Sequence, residues 1–150
     1  MSAVLIVDDD ARLREILVRW LTPEGYETQE APDAETALEL LAAGGIGVAL
    51  CDVTMPGRGG LWLVERMREA HPAVAVVLAT GVETVHPSIS LGGNVVRYLV
   101  KPFERATVLT AVGLARDWHE AAIKNSEAGP RKDPLATWLQ TGKAEDPESK

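Results

Sequence analysis

The sequence predicts an α/β fold: a five-stranded parallel sheet with helices on both faces. Three observations predict it. Short apolar runs recur at Val4–Val7, Gly47–Asp52, Ala73–Thr80 and Val95–Val100. The stretches between them carry helical spacing. Each of these runs also closes on a reactive side chain, where a helix-spaced or Pro/Gly-rich segment takes over. Alternation of this kind implies right-handed crossovers and a parallel sheet.

Val4–Val7 reads as a buried strand closed by Asp8, Asp9 and Asp10. Leu13, Ile16, Leu17, Trp20 and Leu21 then follow the i, i+3, i+4, i+7, i+8 rule and mark one apolar helix face, ended by Pro23 and Gly25. Tyr26–Glu30 is a weak, polar strand and belongs near a sheet edge. Asp33 suits the N-cap of a helix carrying Ala34, Ala37, Leu38 and Leu41, which Gly44-Gly45 terminates. Gly47–Asp52 is the next apolar strand, and Met55–Gly60 is a Pro/Gly loop. Leu63, Val64 and Met67 mark a third helix, stopped at His71-Pro72.

Ala73–Thr80 is the most apolar strand and is expected at the centre of the sheet. In the segment from Gly81 to Asn94, Pro87 and Gly92-Gly93 interrupt any helix, so the fourth helix is expected to be short or irregular. Val95–Val100 forms the fifth strand, followed by Lys101-Pro102 and a helix from about Glu104 to Ile123. A domain over residues 1–123 results. Residues 124–150 are rich in Pro and charge and read as a linker or disordered tail, too short for a DNA-binding domain.

The 150 residues are 46% hydrophobic and 25% charged, with a net charge of −7, which suits a single globular domain. An acidic surface without a basic cluster argues against nucleic acid and anionic lipid as partners. Cys51 is the one cysteine and forms no internal disulfide, in keeping with a reducing compartment. The longest apolar run, Ala73–Ala79, is far short of the ~20 residues that span a bilayer. A cytoplasmic location is the expectation.

In an open parallel sheet, ligands bind where strands end and loops begin. If the first, third, fourth and fifth strands are neighbours, the Asp8–Asp10 run, Asp52, Thr80 and Lys101 converge on one rim, to which the polar second strand contributes nothing. Carboxylates held together raise one another's pKa, and a hard divalent cation such as Mg2+ relieves that repulsion. Asp52 can then act as a nucleophile toward a phosphoryl group, giving an acyl phosphate. Lys101 would neutralise the phosphoryl oxygens, and the Thr80 hydroxyl would donate a hydrogen bond to them.

Four segments carry a family resemblance. Val7-Asp8-Asp9-Asp10, Asp52-Val53-Thr54-Met55-Pro56-Gly57 with Gly60, Thr80-Gly81, and Tyr98-Leu99-Val100-Lys101-Pro102-Phe103 resemble, in order, the motifs of response-regulator receiver domains. The resemblance runs from about Val4 to Ile123. It implies the flavodoxin-like strand order 2-1-3-4-5 and a role in two-component signal transduction. Asp8 and Asp9 become metal acids, Asp52 the phosphoacceptor and Lys101 the phosphate partner. Thr80 and Tyr98 become a switch pair, and the Thr54 carbonyl a backbone metal ligand. The phosphodonor would be a histidine kinase or phosphotransfer protein, and the output a separate protein or a fused domain. Such a domain is a self-catalysing phosphoacceptor rather than an enzyme. Thr54 and Val82 would border the path of an attacking water. Neither holds water as an amide or carboxylate does, so slow autodephosphorylation is expected.

Other readings fit less well. A flavin-nucleotide binder of the same fold needs a phosphate-cradling loop after the first strand, where three aspartates stand here. A haloacid-dehalogenase-like phosphatase wants a second acid two residues past the nucleophile, where this chain has Thr54. A receiver serving only as an interaction module would not need the full set of acids, Thr80 and Lys101. Cys51, beside Asp52, should point to the opposite side of its strand as a packing residue. His71, His86 and His119 lack metal-ligand spacing and are expected at the surface. Trp62 falls with Arg66 and Glu69 on the polar face of its helix, as an exposed aromatic beside the loop that follows Asp52 and a candidate partner contact.

Overall fold

The computed structural model describes residues 2–81 and 93–127. Its strands are β1 (Ala3–Val7), β2 (Thr28–Ala31), β3 (Ile46–Asp52), β4 (Ala75–Thr80) and β5 (Val95–Val100). The helices are α1 (Ala11–Leu21), α2 (Ala34–Ala43), α3 (Gly60–Ala70) and α4 (Arg105–Glu127). All strand pairs are parallel, in the order β2-β1-β3-β4-β5. The predicted strand order is therefore the observed one. Residues 82–92, which hold most of the expected fourth helix together with Val82 and His86, lie outside the described residues.

Alternation along the strands divides the core into two layers. Leu5, Val7, Ala49, Cys51, Val76 and Leu78 face α2 and α3. Val4, Ile6, Val48, Leu50, Val77 and Ala79 face α1 and α4. Cys51 is thus a packing residue, and burial pushes its thiol up to about 12, with the Asp52 charge adding to the shift.

Four expectations need correction. The central strand is β3, not β4. Every residue of both strands is buried, so apolarity alone does not rank them. On α1, Leu17 and Leu21 are buried, but Ile16 is 37% exposed and lines an open groove with Leu13 and Trp20. The last helix runs to Glu127, past the expected stop at Ile123.

His119 is the fourth. It is 6% exposed rather than at the surface. Helical spacing places it in line with Val108, Ala111, Val112 and Ala115, the buried stripe of α4. Its Nδ1 lies 2.7 Å from the Ala73 carbonyl oxygen. The ring covers Gly47, where an added Cβ would come within 2.6 Å of it. A carbonyl in the turn before β4 satisfies a polar ring that the helix period carries inside.

Candidate functional site

The strand order brings the C-terminal ends of β1, β3, β4 and β5 to one rim. Register does the rest. Asp52 pairs with Ala79 and Thr80 with Val100, so Thr80 stands one step beyond Asp52 on β4 and Lys101 two steps beyond it at the end of β5. The Val53 amide donates to the Ala79 carbonyl at 2.8 Å, and the Lys101 amide to the Thr80 carbonyl at 2.7 Å. The Lys101–Pro102 peptide is cis.

Asp8, Asp9 and Asp52 each offer a carboxylate oxygen within 4.8 Å of the others. Asp8 and Asp52 are 3% and 5% exposed, while Asp9 is exposed. Asp8 is held from both sides. Its Oδ1 accepts from the Asp10 amide at 2.9 Å and its Oδ2 from Lys101 Nζ at 3.0 Å. Lys101 Nζ also lies 3.5 Å from Asp52 Oδ2. The Thr54 amide donates to Asp52 Oδ1 at 3.3 Å.

Burial and the Asp8 charge hold the Asp52 carboxyl above the usual carboxylate range, with Lys101 and the Thr54 amide working the other way. Burial opposes the charge on Lys101. The hydrogen bond that Lys101 donates to Asp8 and the charges of Asp52 and Asp8 outweigh burial and hold the ammonium above its ordinary value. One ammonium faces three carboxylates, so the rim keeps a surplus of negative charge on oxygen donors. That is the chemistry of a site for a hard divalent cation.

The three consecutive aspartates separate by task. Asp10 is the N-cap of α1, its side chain accepting from the Arg12 and Leu13 amides. Asp8 and Asp9 are left to the rim. Thr80, 6% exposed, ends β4 beside Asp52. Tyr98 lies on β5 opposite Leu78, half-buried against the α2–α3 layer. Its hydroxyl is buried without a hydrogen-bond partner among the described residues, and burial raises its pKa against the pull of Arg68. Thr54 is exposed in the loop after β3.

Trp62 is not the exposed aromatic expected. It is half-buried against the α2–α3 layer, with the Arg58 and Arg66 guanidinium groups 4.5 and 5.8 Å from its ring centroid. Guanidinium groups over its face cover a ring that the helix period alone places outward.

The sequence reading named Gly60 only as part of a motif, and it missed Arg14. Gly60 begins α3 directly beneath the Asp52–Val53 backbone, and its amide donates to the Val53 carbonyl at 3.0 Å. Arg14, four residues after the cap Asp10, donates from Nη1 to the Asp8 carbonyl at 2.6 Å. One helical turn from a capping acid was the signal available for it.

Comparison with known proteins agrees with this geometry. Residues 4–113 match the family described as "Response regulator receiver domain". Response regulator protein FleR of Pseudomonas aeruginosa is 36% identical over 112 residues, 74% of this chain and 24% of that protein. Transcriptional regulatory protein CpxR of Escherichia coli is 30% identical over 148 residues, 97% of this chain and 63% of that protein. The chain thus spans less than two thirds of the length of these relatives.

Among solved structures, a CheY-like receiver domain protein from Methanospirillum hungatei superposes with a TM-score of 0.75 at 27% identity, covering 81% of this chain and 98% of that one. TrrA from Thermotoga maritima, solved in complex with Mg(2+)-BeF, gives 0.69 at 29% identity, covering 77% and 99%. The family match takes in the ends of the four strands that build the rim, and the chain belongs to the response regulator receiver domains of two-component signalling.

Proposed function

We propose that this receiver domain is a Mg2+-dependent phosphoacceptor whose reactive group is the Asp52 carboxylate. The observation that carries the reading is the placement of Asp52, with one oxygen 3.5 Å from Lys101 Nζ and a carboxylate oxygen within 4.8 Å of Asp8 and Asp9. A phosphohistidine of a histidine kinase or phosphotransfer protein is the donor. An Asp52 oxygen attacks phosphorus, the P–N bond breaks, and the imidazole leaves with that electron pair. Lys101 follows the phosphoryl oxygens, and the Thr80 hydroxyl donates a hydrogen bond to one of them.

Asp8, Asp9, Asp52 and the Thr54 carbonyl would hold Mg2+. When bound, it neutralises the charge gathered by the carboxylates and the incoming phosphoryl group. The Mg(2+)-BeF complex of TrrA supports this reading. A largely apolar groove between α1 and the segment after β5 opens beside Lys101, with Leu13, Ile16, Trp20 and Phe103 in its walls. It supports docking of the donor there, and Trp62 is a further candidate contact. The output lies in a separate protein or a fused domain, with no direct contact of this chain to nucleic acid or membrane. No helix among the described residues is long and apolar enough to cross a membrane. The cytoplasm is the proposed location.

Acetyl phosphate tests the core of this reading. The chain should gain one phosphoryl group at Asp52 with Mg2+ and none with EDTA; labelling indifferent to EDTA, or at another residue, refutes it. The same sample, freed of donor, should lose the label slowly, because Thr54 is too short to hold an attacking water and Val82 has no polar group. A Thr54→Asn, Val82→Glu double variant should lose it at least about tenfold faster. Slower loss in that variant than in the wild type counts against water control by these two positions.

Phosphorylation should act outward through Thr80 and Tyr98. The Thr80 hydroxyl turns to the new phosphate, and the Tyr98 ring, whose hydroxyl is buried without a hydrogen-bond partner among the described residues, shifts in response. Only differential contact with the phosphate can shift such an equilibrium. Beryllofluoride with Mg2+ should therefore move the backbone NMR resonances around Tyr98, and Thr80→Ala should suppress that movement. Identical spectra around Tyr98 with and without the mimic remove the switch.

A further inference from the structure

Edge strand β2 places no side chain among the acids, yet both polar groups of the Asp8 backbone are tied to it. The Asp8 amide donates to the Ala31 carbonyl at 3.1 Å. The Asp8 carbonyl accepts from Arg14 Nη1 at 2.6 Å, and Arg14 Nε donates to Glu30 Oε1 at 3.0 Å. Arg14 is 15% exposed at its side chain and Glu30 45%. One guanidinium thus spans from the end of β2 to the peptide that joins Asp8 to Asp9.

That peptide decides where Asp9 stands. The Asp8 carboxylate is already fixed by the Asp10 amide and Lys101. Asp9 is exposed, and its direction follows from the plane of the Asp8–Asp9 peptide. Arg14 holds that plane through its carbonyl, and Glu30 holds Arg14. A forked guanidinium can serve both partners at once, where an ammonium can replace only part of the arrangement.

We propose that Arg14, braced by Glu30, is a positioning residue for the metal acids: it orients the Asp8–Asp9 peptide and so sets Mg2+ affinity through the backbone. The proposal rests on the reading of Asp8, Asp9 and Asp52 as the Mg2+ site. It makes the edge strand part of the site's machinery, although the sequence reading assigned β2 no contribution.

The sign of the effect separates positioning from charge. A guanidinium acting only as a nearby positive charge repels a divalent cation, and its removal tightens binding. A guanidinium that positions the acids weakens binding when removed. Residues that orient metal ligands typically govern about 10–100-fold in affinity.

The experiment is a Mg2+ titration of the unphosphorylated chain by calorimetry and NMR, for wild type, Arg14→Met, Arg14→Lys, Glu30→Gln and Asp9→Asn. Arg14→Met should bind about tenfold more weakly, with Arg14→Lys partly recovered. Glu30→Gln should fall by about two- to threefold, and its half-exposed position keeps that arm free of any loss of fold. Weakened binding in Asp9→Asn together with unchanged or tighter binding in Arg14→Met and Glu30→Gln overturns the positioning role and leaves the metal site standing. Undiminished binding in Asp9→Asn overturns both.

Discussion

Replacing Asp52 by Asn should abolish phosphoryl labelling and, at neutral pH, make the fold more stable. The first effect follows from the nucleophile, since an amide keeps the shape but offers no carboxylate to attack phosphorus. The second follows from electrostatics. Burial and the Asp8 charge hold the Asp52 carboxyl above its usual range, so the folded chain binds this proton more readily than the unfolded chain does. A carboxyl of that kind contributes its full stability below the unfolded pKa and loses it as pH rises through the folded one. At neutral pH the ionised group therefore works against the fold.

Asn removes that charge, while Lys101 keeps Asp8 at 3.0 Å as its partner. The gain should be present near neutral pH and should shrink toward zero as pH falls through the carboxylate range. Urea unfolding of both proteins at neutral and acid pH measures it. Equal stability at neutral pH would remove the electrostatic account, whereas labelling of the variant at the wild-type rate would remove the nucleophile. Mg2+ should narrow the stability gap, since a cation at the acids relieves the same repulsion in the wild type.

The rim was legible because its residues end strands. Val4–Val7, Gly47–Asp52 and Ala73–Thr80 are apolar enough to be buried on both faces, Val95–Val100 is buried only in part at the sheet edge, and each stops at a group that needs water or a partner. A parallel sheet sends all those stops to the same edge, so Asp8, Asp52, Thr80 and Lys101 could be brought together without knowing any distance. The sequence could not divide the tasks of three adjacent aspartates. That depends on the backbone at Asp10, whose extended φ of −90° and ψ of 105° turn its side chain onto the amides of α1.

His119 and Trp62 failed for a related reason. Residue type places a histidine outside and an aromatic on a polar face in the open. The Ala73 carbonyl, far from His119 in sequence, decides the first, and the guanidinium groups of Arg58 and Arg66, each four residues from Trp62, decide the second through side-chain directions that the helix period alone does not give. The Arg14–Glu30 pair joins residues sixteen positions apart across a helix and an edge strand, a contact that no local period encodes. Apolarity also could not choose between β3 and β4 as the central strand, because both are buried throughout.

Gly60→Ala should be among the most damaging single-methyl changes in the chain. Gly60 has ordinary helical backbone, so its need is space rather than a left-handed conformation. A Cβ there would meet the Asp52 carbonyl oxygen at a separation no real contact tolerates, and would lie 2.9 Å from Val53 Cα and 3.0 Å from the Asp52 carbonyl carbon. All three are backbone atoms of the strand end that carries the nucleophile. The Val53 amide is pinned to Ala79 and its carbonyl to Gly60 itself, so neither side yields cheaply. Overpacking of this kind costs about 1–3 kcal/mol, and a clash with rigid backbone belongs at the upper end.

Gly113→Ala is the control. It sits inside α4, where a Cβ would meet only the Tyr26 hydroxyl at 3.9 Å, an ordinary contact. There the better helix propensity of Ala should add up to about 1 kcal/mol. Urea unfolding should therefore move the two variants in opposite directions from the wild type. Acetyl phosphate labelling should fall only in Gly60→Ala, even at urea-free conditions where that variant is still folded, because the methyl displaces the backbone that aims the Asp52 carboxylate between Lys101 and the acids. If Gly60→Ala matches Gly113→Ala in stability and labels normally, the close approach of α3 to β3 has no part in holding the site.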